Sequence, residues 1–169
     1  MSDQILSVLK SKLDGLSTYG ISITDPETRL NALKEELQFY VLDFIYHHPE
    51  YNKWIMYGGS SLRKCYDLDR MSVDLDFEVS HKFDNDFLNE LREEAEKHFS
   101  KTYGTAPDFL RSTINNNRSV NLKFKAGSFI SGFNSEWVII RIDLNYFPAS
   151  AGIVTGRIPI NHGQLSFVI

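Results

Sequence analysis

The chain has 169 residues, 42% of them apolar and 24% charged, a balance that suits a globular domain burying roughly 70% of its unfolded surface and excludes a disordered chain, a collagen-like repeat and a coiled coil. Eighteen Lys and Arg against 22 Asp and Glu give a net charge of −4, so a general polyanion-binding coat is excluded and any nucleic-acid contact has to be local or bridged by metal ions. A single cysteine, Cys65, excludes an internal disulfide and a multi-cysteine zinc site and suits a reducing cytoplasm.

The first residues carry Asp3 and scattered lysines and do not read as a signal peptide. No apolar run is long enough to cross a bilayer. Ile5, Val8, Leu9, Leu13 and Leu16 fall at helical spacing and predict a helix from Asp3 to Leu16. Thr24-Asp25-Pro26-Glu27 is a helix start, with Thr24 or Asp25 as cap, Pro26 in the first turn and Glu27 placed to close a capping box. Leu30, Leu33, Leu37, Tyr40, Val41 and Phe44 continue one apolar stripe, which Pro49 ends near His47-His48. Neighbouring histidines do not share a helix face, so these two read as helix-end residues rather than metal ligands.

Trp54 to Tyr57 predicts a buried strand that meets a tight turn at Gly58-Gly59, followed by a short helix from Ser60 to Tyr66. From Met71 to Val79 the residues alternate, with Val73, Leu75, Phe77 and Val79 inward and Asp74, Asp76 and Glu78 on the other face. A further helix runs from Asp84 to Ser100 with Phe87, Leu88, Leu91, Ala95 and Phe99 inward. The three asparagines between Ile114 and Ser119 mark a turn. Val120 to Lys125 and Trp137 to Asn145 predict a hairpin, and Ile153 to Ile160 with Gln164 to Ile169 a last strand pair. The expected class is α+β, a mixed or antiparallel sheet flanked by helices, with a helical N-terminal segment. The apolar ending Leu165-Ser166-Phe167-Val168-Ile169 leaves two readings open, a truncated protein or a last strand tied into the sheet.

The chemistry concentrates in residues 54–79. Glycines let the backbone approach a ligand closely, and the first turn of the following helix offers unpaired N–H groups and a partial positive charge. Gly58, Gly59 and the hydroxyl of Ser60 therefore suit a phosphate. Asp74 and Asp76, two apart on a strand, project carboxylates from one face; such a pair favours a hard cation between them, Mg2+ or Mn2+. Two such ions can hold an attacking and a leaving oxygen in line during phosphoryl chemistry. Arg70 and Ser72 immediately precede the pair. A third carboxylate is expected in Asp143, which lies in the apolar run Val138 to Leu144 where an unpartnered charge is costly. Arg141 shares its face by alternation, and an ordinary ion pair with Arg141 or Lys123 is the alternative reading of Asp143. Lys123 and Lys125 point to one side together, and either can reach the triphosphate of a nucleotide.

The stretch resembles the nucleotidyltransferases of the DNA polymerase beta-like superfamily, and within them the AbiEii/AbiGii toxin family. The resemblance rests on a Gly-Gly-Ser/Thr-x-Leu turn and an Arg-x-Ser-x-Asp-x-Asp run, matched by Gly58, Gly59, Ser60, Leu62, Arg70, Ser72, Asp74 and Asp76. Lys123 or Lys125 and Asp143 take the places of a later lysine and acid, a looser match. Met71 and Val73 stand where the family often has an aromatic and an acidic residue. The resemblance covers roughly residues 30–160 and is strongest over 54–79.

It implies a nucleotidyltransferase-like sheet in one domain over 1–169, with helices over 1–50 and a catalytic core over 51–169, ahead of a C-terminal helical portion that family members usually carry. It implies transfer of a nucleotidyl group from an NTP to an acceptor hydroxyl on tRNA or protein in the cytoplasm, and neutralisation by a partner antitoxin. Asp74 and Asp76 would hold metal, Asp143 a second metal or the acceptor's proton, and Gly59 and Ser60 the phosphates. Two rivals remain: a transferase acting on a small molecule such as an antibiotic, and a nucleotide-binding or interaction module that has lost catalysis.

Overall fold

The computed structural model describes residues 4–16, 25–148 and 156–169. Helical periodicity produces the first two elements. α1 (Gln4–Leu16) buries Ile5, Leu9 and Leu13. α2 (Pro26–His47) is capped by Asp25, whose carboxylate accepts from the amides of Glu27 and Thr28. Glu27 does not close a capping box. With Asp25 as the cap, the reciprocal position is Thr28, and its hydroxyl bonds Asp25 at 2.8 Å. α2 is buried on several sides, with Leu33, Leu37, Val41 and Ile45 fully enclosed, because other layers pack around it.

β1 (Ile55–Tyr57) leads into α3 (Gly58–Tyr66), then β2 (Asp74–Val79), α4 (Asn85–Thr102), β3 (Leu110–Asn115), β4 (Ser119–Lys125) and β5 (Trp137–Tyr146). α3 starts at Gly58, two residues before the predicted Ser60. β2 begins only at Asp74, so Val73 precedes the strand and is 39% exposed rather than inward. α4 is capped by Asp84 and buries Leu88, Leu91, Ala95 and Phe99 as its periodicity predicts; Phe87 is only partly buried.

The main sheet has the order β1-β2-β5-β4-β3, with β2 and β5 parallel and the other neighbours antiparallel. β3 was not expected from the sequence; it forms a hairpin with β4 across the predicted asparagine turn, where Asn116 and Asn117 take positive φ, which asparagine tolerates. One sheet face is apolar. Leu75, Phe77, Val120, Leu122, Phe124, Ile140, Ile142 and Leu144 are fully buried, with Phe77 beside Tyr46 of α2 and Phe124 beside Phe99 of α4. The alternation that buries these residues turns Asp74, Asp76, Arg141, Asp143, Asn121 and Lys123 to the opposite face.

β6 (Pro159–His162) and β7 (Leu165–Val168) pair antiparallel in a sheet of their own. The last strand is thus not tied into the main sheet; Phe167 stacks on Tyr46 and His162 on Phe39, both on α2. Residues 153–155 of the predicted strand lie outside the described residues. No helix among the described residues is long and apolar enough to cross a membrane.

Candidate active site

The turn after β1 meets the start of β2. Gly58 has φ +73, and a Cβ there would lie 3.1 Å from Asp76 Oδ2. A Cβ on Gly59 would lie 3.0 Å from Ser72 Oγ. Ser60 is fully buried, and its hydroxyl is shared between Ser72 Oγ at 2.9 Å and the backbone carbonyl of Asp74. The glycines are therefore required by close approach and, at Gly58, by backbone conformation.

Gln38 of α2 supports the same segment from below. Its amide nitrogen donates to the Ser72 carbonyl at 2.9 Å, and its oxygen accepts from Lys64 Nζ at 2.6 Å. Burial lowers the Lys64 pKa to about 8. Gln38 is itself fully buried, so both polar ends of its side chain are satisfied inside the protein.

The parallel register of β2 and β5 sets Asp76 directly opposite Asp143, and Asp74 opposite Arg141. Neighbouring strands lie about 4.8 Å apart, so the three carboxylates share one small area of the sheet. Burial raises the Asp76 pKa, and repulsion from Asp143 and Asp74 raises it further; Arg118 and Arg141 pull the other way. Asp143 is 7% exposed. Its Oδ1 accepts from the Ser119 hydroxyl and from Arg141 Nε at 3.1 Å, and Arg141 Nη2 also reaches Ser119 Oγ at 3.3 Å.

Of the residues singled out in the sequence, Gly58, Gly59, Ser60, Ser72, Asp74, Asp76 and Asp143 are brought together. Arg70 is exposed in the loop before β2 and makes no ion pair among the described residues. Lys123 lies opposite Ile139, four residues along β5 from Asp143, roughly 13 Å at strand rise. Lys125 is drawn outward into an ion pair with Asp108 at 2.8 Å.

Sequence reading missed Gln38, Arg118 and Ser119. Gln38 sits inside an apolar helical stripe, a signal that could have marked it as a buried polar residue. Ser119 and Arg118 border the asparagine turn, and only strand register carries them to Asp143 and Asp76.

Among the described residues no group of three or more acidic, histidine or cysteine side chains forms a ready-made metal cage. The donor chemistry of Asp76 and its neighbours still fits a hard divalent cation. Repulsion from Asp143 and Asp74 adds to burial in raising the Asp76 pKa, and Mg2+ is commonly held by one or two carboxylates plus substrate phosphates rather than by an all-protein cage.

Gly58→Ala is expected to cost about 1–2 kcal/mol, from a left-handed conformation that alanine disfavours, and to push the new methyl against the Asp76 carboxylate. Calorimetry should show a lowered Tm; an unchanged Tm would mean that the turn relaxes freely.

A sequence model of the family described as "Nucleotidyl transferase AbiEii toxin, Type IV TA system" matches residues 40–162. That span holds the glycine turn, β2 and β5. No curated protein and no solved structure matches the chain.

Proposed function

The chain belongs to the AbiEii nucleotidyl transferase toxin family, and from that premise we propose that it moves a nucleotidyl group from an NTP to an acceptor hydroxyl on tRNA or protein, with divalent metal ions. The observation that carries this reading is the juxtaposition of Asp76 and Asp143 beside the Gly58 turn. A glycine turn and acidic side chains meet there on one face of the sheet.

In this reading the acceptor oxygen attacks the α-phosphorus of the NTP. The bond from that phosphorus to the bridging α–β oxygen breaks, and pyrophosphate leaves. Bound Mg2+ or Mn2+ would neutralise charge on the phosphate oxygens. Asp74 and Asp76 are the proposed metal ligands. Asp143 serves as a further ligand or takes the proton of the acceptor hydroxyl. Gly58 and Gly59 hold the polyphosphate through the turn and the start of α3; the Ser60 hydroxyl expected to join them is instead buried on Ser72 and the Asp74 carbonyl and shapes the turn. Ser72 fixes Ser60. Arg70 is an exposed cation available to the outer phosphates, half-buried Lys123 would reach them only from farther along the sheet, and Lys125 would first have to leave Asp108. An antitoxin protein is the proposed partner, by analogy with the toxin–antitoxin description of the family.

Incubation with Mg2+ and each of the four NTPs tests nucleotide binding. A ligand at 100 times its Kd stabilises the native state by about 2.7 kcal/mol, which is several degrees in Tm. Labelled NTP added with cell extract then tests transfer and sorts RNA from protein acceptors. Asp143→Asn is expected to remove the label from the acceptor while the protein remains folded by circular dichroism. Undiminished labelling would take Asp143 out of the reaction, and no Tm shift with any NTP would overturn the nucleotide reading.

A further inference from the structure

Arg141 stands inside the acidic group rather than beside it. Its Nε bonds the same Asp143 oxygen that Ser119 bonds, and its Nη2 holds Ser119. Strand register also places it opposite Asp74. The Arg141 side chain is 33% exposed against 10% for Asp143, so the carboxylate is buried while the guanidinium retains a path to solvent. Three carboxylates carry about three negative charges, and Arg141 together with Arg118 offsets two of them. A bare divalent ion that takes Asp143 competes with the guanidinium already paired to it. A metal–nucleotide complex differs, because it brings phosphate oxygens that an arginine fork binds well, often bidentately.

We infer that Arg141 is a displaceable counter-ion: it pairs with Asp143 before ligands bind and exchanges that carboxylate for the polyphosphate when metal and nucleotide enter together. The inference rests on the proposed role of Asp143 as a metal ligand. Its consequence is coupling. Divalent ion alone binds weakly, nucleotide strengthens it, and by linkage the ion strengthens nucleotide to the same factor.

Mn2+ titration followed by electron paramagnetic resonance of the free ion, with and without a non-hydrolysable NTP analogue, tests this without any turnover. In the wild-type protein the analogue should tighten Mn2+ at least about tenfold, within the usual range of coupling. Arg141→Gln should bind Mn2+ alone about tenfold tighter than wild type and lose most of that coupling. Arg141→Lys keeps a charge that can still pair with Asp143, so its affinity for Mn2+ alone should stay near the wild-type value. Arg141→Gln with unchanged or weaker Mn2+ binding would overturn the inference, as would Arg141→Lys binding as tightly as Arg141→Gln. Asp143→Asn separates the two levels. If it abolishes Mn2+ binding while Arg141→Gln changes nothing, the counter-ion role falls and the metal site stands. If Asp143→Asn leaves Mn2+ binding intact, the metal-ligand reading of Asp143 falls, and the counter-ion role with it.

Discussion

Asp76→Asn is expected to abolish nucleotidyl transfer and, in metal-free buffer at pH 7, to raise the melting temperature. The two effects have one cause. Asp76 lies opposite Asp143 and two residues from Asp74, and burial together with those two charges raises its pKa above the ordinary carboxylate value. Between its unfolded and folded pKa values the native state therefore binds more protons than the unfolded chain, and stability falls as pH rises through that window. Above it the penalty is fully present. Asparagine has no charge to repel and removes the penalty at neutral pH. Below the ordinary carboxylate range wild-type Asp76 is protonated in both states, so the difference in Tm should vanish there. The catalytic loss follows from the proposed metal ligation. Removing a charged group that stabilises the transferring phosphoryl should cost roughly a thousandfold or more, at the upper end of what losing one electrostatic stabiliser costs. Thermal melts across pH and single-turnover labelling check the two halves separately. A lower Tm for Asp76→Asn in the absence of metal would mean that Asp76 is held by its neighbours rather than strained by them.

Phe77→Ala is expected to destabilise the protein by about 3–5 kcal/mol. Phe77 is 0% exposed and lies between Trp54 at 5.6 Å and Tyr46 at 6.4 Å, ring centroid to ring centroid. It is also the residue after Asp76, on the opposite face of β2. Its ring anchors the strand whose other face presents the acidic pair. Total stabilities of native domains are about 5–15 kcal/mol, so this single truncation removes a large share. Tm should fall by on the order of 10 °C for a chain of this size. Urea unfolding with an unchanged slope would confirm that the loss is in the native packing. A cost below about 1 kcal/mol would show that the surrounding aromatics collapse into the cavity.

Much of the site was legible before the fold. A strand ending in Gly58-Gly59, a helix after it and alternation through Leu75, Phe77 and Val79 place Asp74 and Asp76 together on an outward face, because strand and helix periods are local properties of the chain. β3 was not legible. Its residues Leu110–Asn115 hold only Leu110 and Ser112 fully inward, too short an alternation to stand out beside an asparagine-rich turn. The Glu27 capping box failed by one residue, since the position of the cap decides which side chain can answer it.

The sequence by itself determined the α+β class, the hairpin of β4 and β5, the glycine turn and the acidic strand, since each depends on spacing within a dozen residues or so. Only the tertiary structure decided that Asp76 faces Asp143, that Ser119 and Arg141 share one oxygen of Asp143, and that Lys125 turns away to Asp108. Those partners are distant in sequence and meet through strand register, where a slip of one residue sends every side chain to the other face. Long-range pairing of that kind is held by the buried apolar side of the sheet, packed against α2 and α4.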